Sequence, residues 1–171
     1  MIMSGTSIGL QTLSGIRGQR AAPAFSDVIE QGFLDPSNPP ILYGVPVKNV
    51  SGKYAKILSG DTASLITGWL SAPAIDDLPS VLNQALGTTT PNPARSHAIL
   101  RKGDLFVEVL GSTAPTAWGT VYVRVADAGS TGRAMGGIEA AVGTGSDCVA
   151  ITGVTFVGGR DSNNIAQIRI G

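Results

Sequence analysis

The chain ends VTFVGGRDSNNIAQIRIG, Val154 to Gly171, and the polar run GGRDSNN within it is its best candidate for chemistry. Asp161, Asn163 and Asn164 could offer oxygens to a calcium ion. The run lacks the alternating acidic ligands and distal Glu of the helix–loop–helix calcium site. Gly, Asp and Asn are also the residues that turns select, because they tolerate positive φ or bond nearby backbone. VTFV and IAQIRI on either side are strand-like. The run therefore reads as the turn of a β-hairpin, with a weak ion site as the alternative.

The other reactive residue types are sparse. His97 is the single histidine, so a histidine-based triad and most metal sites would need it. In ARSHAILRKGD it sits among Arg95, Arg101 and Lys102, a poor setting for a cation, and a loop or strand-edge histidine is expected. Cys148 is the single cysteine, which excludes an intrachain disulfide. Within GSDCVAI it reads as a buried structural thiol. No G-x-S-x-G elbow and no phosphate-binding G-x-x-x-x-G-K-S/T occurs. GTGSD, from Gly143 to Asp147, lacks a third glycine at dinucleotide spacing and reads as a turn. Asp76 and Asp77 are adjacent, so their side chains diverge; they suit a helix start better than an acid/base pair. Asn49-Val50-Ser51 matches a glycosylation sequon, a three-residue coincidence of little weight. Trp69 and Trp118 could stack on sugars, but each lies among β-type residues, where core or interface packing is favoured. No catalytic residue, metal site or cofactor emerges.

The elements that must position these residues are strands. In DLFVEVL, Leu105, Val107 and Val109 share one face; in TVYVRV, Val121, Val123 and Val125 do. GSTAPTAWG connects the two runs, which are expected to pair as a hairpin with a long loop. Further strands are expected over 41–47, 54–58, 65–70, 147–152, 154–157 and 165–170, with Pro46 at an edge or strand end. DDLPSVLNQALG, with Asp77 as cap and Gly87 as stop, predicts one short helix. The stretch 71–93 could equally be a long excursion. Residues 1–40 lack sustained alternation and read as an N-terminal arm or extended segment. Residues 41–171 then form the β domain. The 23 Gly and 10 Pro are spread along the chain, the punctuation of an all-β domain.

Composition narrows the partners. Twelve basic and twelve acidic residues cancel, and charged residues are 14% of the chain, against about 25% in an average soluble protein. Area scaling gives a folded monomer roughly 7,900 Å², so about one charge per 330 Å². A neutral, charge-poor surface promotes association. That predicts a homo-oligomer, a dimer or trimer, with the low-charge monomer as the alternative. It also argues against nucleic acid, which asks for a basic stripe. No run approaches the ~20 apolar residues of a membrane span, so no membrane partner is expected. MIMSGTSIGLQTLSGIRGQR lacks a basic stretch ahead of an apolar one, so a soluble protein made in the cytoplasm is expected.

The order of segments resembles the structural cement proteins of tailed bacteriophages, the capsid decoration subunits. GIRGQRAA comes first, then YGVPVKNVSGKYAKI, then ITGWL with a Pro-containing excursion. ILRKGDLFVEV and GTVYVRV follow, and GVTFVGGRDSNNIAQIRI ends the series. The resemblance covers most of the chain after about Gly15. SAPAIDDLPSVLNQAL departs from it by looking helical. The resemblance implies a mainly β fold, an antiparallel sandwich or barrel of jelly-roll kind, with no enzyme activity and no cofactor. It implies the major capsid protein as partner, at joints on the outer capsid surface of the virion. Arg17, Gln19, Arg20, Trp69 and Trp118 are the candidate interface residues, the arginines because a guanidinium directs several hydrogen bonds. The alternatives are another virion protein, such as a head-fibre base, tail tube or head–tail joining subunit, or a carbohydrate-binding β-sandwich.

Overall fold

The computed structural model describes residues 15–21, 26–72, 90–127 and 131–171. Its strands are β1 (Val28–Phe33), β2 (Pro46–Val50), β3 (Lys53–Lys56), β4 (Ile66–Leu70) and β5 (Ser96–Leu110). They continue with β6 (Thr120–Arg124), β7 (Ile138–Glu139), β8 (Cys148–Phe156) and β9 (Ile165–Ile170). The fold is mainly β, as the alternation predicts. The helix expected over 77–87 falls outside the described residues.

β5 organises everything else. Its C-terminal half pairs antiparallel with β9, from Gly103↔Ile170 to Glu108↔Ile165, and parallel with β7 at Val109↔Ile138. β7 pairs β6, β6 pairs β8 and β8 pairs β9, which closes a five-strand ring. The alternating residues Leu105, Val107, Val109, Val121 and Val123 point into it, with Phe156 and Ile168 from the closing hairpin. Each such side chain contributes about 1.5–3 kcal/mol by leaving water.

The N-terminal half of β5 serves a second sheet. β1 lies on one edge, from Val28↔Lys102 to Phe33↔Ser96, and β4 on the other, at Trp69↔Leu100 and Leu70↔Ile99. β2 follows β4, and β3 follows β2. A single bridge, Leu34↔Tyr54, returns β3 to the end of β1. The sheet thus curls around its own core of Leu34, Tyr43, Val47, Tyr54, Leu70 and Ile99.

The two cores share a wall. Trp69 and Leu100 face the first core, while their sequence neighbours Leu70 and Ile99 face the second. Period-2 alternation does this directly, since successive residues leave opposite faces. Where β5 changes partners stands Gly103, with φ +131°; a Cβ there would lie 2.5 Å from Asp27 Oδ1. Only glycine takes that conformation without strain.

Several expectations change. DLFVEVL and TVYVRV do not form a hairpin, because β7 lies between them, parallel to one and antiparallel to the other. Their connection instead turns toward β8, with the Trp118 N–H donating to Phe156 O at 2.7 Å. The segments 147–152 and 154–157 are one continuous strand, β8. The strand expected from residue 41 begins only at Pro46, whose missing N–H is harmless at a first position. Within residues 1–40, Val28–Phe33 forms β1, and Leu34 just after it lies in the second core.

Candidate interface surface

The closing polar run is the β8–β9 turn. Asp161 Oδ1 accepts from the N–H groups of Asn163 (2.8 Å) and Ile165 (2.7 Å), and Asn164 adopts φ +62°. Arg160 donates to Gly111 O at 2.8 Å, tying the turn to the end of β5. The ion-site alternative loses its central oxygen to the backbone. Asn49 is similar: its Oδ1 accepts from Gly52 N–H at 3.0 Å in the β2–β3 turn. His97 lies within β5, buried, with Nε2 2.8 Å from Asn92 O and its ring tilted against Tyr43. Cys148 is buried at the start of β8. Burial, with the nearby Glu139 carboxylate, pushes its thiol up to about 11, so it is not a thiolate at neutral pH. GTGSD forms a 3-10 turn over Thr144–Ser146. Asp76 and Asp77 lie outside the described residues.

One constellation has no counterpart in the sequence reading. Arg124 is 1% exposed, and Asp147 is 0% exposed. The Arg124 Nε donates to Glu139 Oε1 at 2.8 Å, and Nη1 donates to Asp147 Oδ2 at 3.1 Å and to Ala126 O at 3.1 Å. Arg133 donates to the other Glu139 oxygen at 3.0 Å. Burial alone would lower the Arg124 pKa, but the bond to Glu139 and its charge outweigh that and raise it. Every group is locked to an opposite charge, so the cluster holds the loops against β6 rather than offering a reactive centre. Arg124 points away from the Val121–Val123 face, where alternation predicts solvent. Loops from distant sequence cover it, and no local pattern announces that.

The expected interface residues divide. Trp69 is 1% exposed and packs in the first core, so it cannot touch a partner. Trp118 is 67% exposed at φ +63°, with the Arg169 guanidinium 5.9 Å from its ring centre. Arg17 pairs with Glu108, and Arg20 lies 3.8 Å from Asp27. Gly18 and Gln19 run beside β5: Gly18 N–H donates to Phe106 O at 2.7 Å, and Phe106 N–H to Gln19 O at 2.9 Å. Gly18, at φ +81°, allows the close seat, since a Cβ would meet that of Tyr43 at 2.5 Å.

Charges are largely spent inside the molecule. Lys48–Asp61, Arg101–Glu30 and Arg169–Asp104 join the pairs above. The large hydrophobics that remain at the surface are unevenly placed. Among the described residues, the large exposed hydrophobics are Val28, Ile29, Phe33, Ile41, Val50 and Leu65, then Trp118 and Val142. All but the last two belong to the N-terminal half. Ile29 and Phe33 share one face of β1, with Phe33 54% exposed. An exposed apolar strand of this kind marks an interaction surface.

The comparisons point the same way. A family model described as XM1 gp53 minor capsid protein matches residues 5–170. A chain from the solved structure "The capsid of Myoviridae Phage XM1" is similar over 99% of this chain and 98% of that one, at 17% identity and a TM-score of 0.64. That likeness establishes a shared fold. No curated protein matches the chain.

Proposed function

Because the chain belongs to the XM1 gp53 minor capsid protein family and is thus a structural protein of the phage virion, we propose that it is a decoration, or cement, subunit. It binds the outer surface of the assembled capsid and strengthens joints between major capsid protein subunits. It acts by binding alone, without catalysis. A subunit that binds the closed shell and not the free shell protein stabilises the shell by its binding free energy, through mass action. Contacts to several neighbours add avidity.

The observation that carries this reading is the uneven surface. Ion pairing takes up most of the described charges, while Ile29, Phe33, Ile41 and their neighbours leave apolar area uncovered on one half. The segment ahead of β1 adds contacts to neighbouring subunits, and self-association as a dimer or trimer increases the number of contacts per particle. The test is calorimetry of shells assembled with and without the protein, with cryo-electron microscopy to place it. We expect density on the outer surface and a higher melting temperature for decorated shells. Density in the tail or at the portal, or equal melting temperatures, overturns the reading.

A further inference from the structure

A groove of about 580 Å³ lies where the two halves meet. Pro40, Ile41 and Leu42 form one side, Ile57 and Leu58 another, and Met135 lies on the turn leading into β7. Three cationic residues, Arg17, Lys56 and Arg133, and one acidic residue, Glu108, also line it. Arg17 faces Glu108, and Arg133 is held by Glu139. Lys56 differs: it is half-buried, and no ion pair joins it to another described residue. The fourth member of the wall's charge set is therefore Glu108, already neutralised, and the net surplus is the Lys56 ammonium.

Lys53, Arg95 and Lys102 also lack an ion pair among the described residues, but they are exposed and water serves them. Lys56 instead lines an apolar groove with Ile41 and Leu58, and a carboxylate brought by a partner complements its charge. A small molecule would need several convergent polar groups to fix its orientation. Here one charge stands in an apolar trough. Among the described residues, a second copy of this chain is a poor source of the carboxylate: Glu108 and Glu139 are paired, and Asp35 and Asp161 hold N–H groups of their own turns.

We propose that this groove receives an extended apolar peptide segment bearing one carboxylate, supplied by a different protein of the virion. The carboxylate meets Lys56 Nζ, and the aliphatic side chains lie against Ile41, Leu58 and Met135. The inference rests on the cement reading and names its contact.

The test uses the full-length protein and shells assembled without it. Lys56→Glu and Ile41→Asp change side chains that are not fully buried, so both variants keep the circular dichroism spectrum and melting temperature of the parent. Co-sedimentation should then show at least tenfold weaker binding for each, with Lys56→Arg close to the parent. On decorated particles, a carbodiimide joins an amine to a touching carboxylate as an amide, with the carbodiimide taking up the lost water. Mass spectrometry should find Lys56 linked to an Asp or Glu of another virion protein. If the parent binds shells and Lys56→Glu binds equally well, the groove inference falls and the cement reading stands. A link to a second copy of this chain also overturns the inference. If the parent does not bind shells at all, the cement reading falls and takes the groove's occupant with it.

Discussion

The two halves built on β5 solve different problems. The C-terminal ring closes completely through backbone pairing, from β5 round to β9 and back. It buries a charged cluster as well: Arg124, Glu139 and Asp147 are all buried, with Arg124 bonded to both carboxylates. The N-terminal half closes through one bridge, Leu34↔Tyr54, and leaves β1 at an edge with Ile29 and Phe33 exposed. A sheet edge with unpaired backbone invites another chain, and most proteins blunt such edges with charge. β1 carries only Glu30, which is engaged by Arg101 at 2.6 Å. Self-sufficiency is thus concentrated in one half and exposed apolar surface in the other.

The sharpest way to break this comparison is to attack the sealed ring. Asp147→Ala strips the buried Arg124 of one carboxylate, and breaking a buried pair costs about 3–5 kcal/mol. Urea denaturation should show that loss as a single cooperative transition, because the shared wall couples the halves. Two separated transitions would show instead that the halves fold independently. Leu70→Ala tests the wall from the other side. It empties a site in the second core at about 2–5 kcal/mol, and the transition should again stay single, since Trp69 beside it belongs to the first core.

Those two residues show what the sequence carries and what it hides. Strict alternation in DLFVEVL and TVYVRV marks the ring, because one face is core and the other is not. In ITGWL and SHAIL both faces are buried, so Trp69-Leu70 and Ile99-Leu100 are apolar pairs and the period disappears. The first eight residues of β5 went unrecognised for that reason. β1 is hidden by the opposite circumstance: VIEQGF is nearly all exposed, so no buried face imposes a pattern. β7 is two residues long, and its place between β5 and β6 is set by pairing across distant sequence. The Arg124 cluster depends on loops that arrive from 15 and 23 residues away. Scarcity of charge was legible in composition. The gathering of exposed apolar residues on the N-terminal half was not.

A smaller effect tests the hinge between the halves. Gly103→Ala forces a side chain into φ +131° beside Asp27, with a cost of about 1–3 kcal/mol. The melting temperature should fall while the β spectrum remains.

Smaller still is the pH response. The bonds from Arg169 to Asp104 hold its carboxyl below the usual carboxylate range. A folded-state pKa below the unfolded one stabilises the fold above the unfolded value. That stabilisation is lost as pH falls through the folded value. Stability should therefore decline below about pH 4. Asp104→Asn should remove part of that decline and cost within about 1 kcal/mol at neutral pH, as expected for a partly exposed pair. An unchanged acid profile would remove Asp104 from the account.

The least effect on folding should come from Phe33→Ser, within about 0.5 kcal/mol for an exposed position. Binding should not follow stability here. Loss of shell binding at unchanged melting temperature would place adhesion on β1; full binding would move it elsewhere on the N-terminal half.

β5 has a mechanical consequence as well. Its 15 residues span about 50 Å when extended, and they belong to both halves at once. Tension applied to the exposed half, with the ring anchored, travels along a covalent backbone. At each end that backbone is gripped on both sides, by β1 and β4 and then by β9 and β7. Pulling along the strand must shear many hydrogen bonds together, whereas peeling an edge opens them one at a time. A subunit strung on such a tie resists extension through its covalent backbone as well as through the wall its halves share.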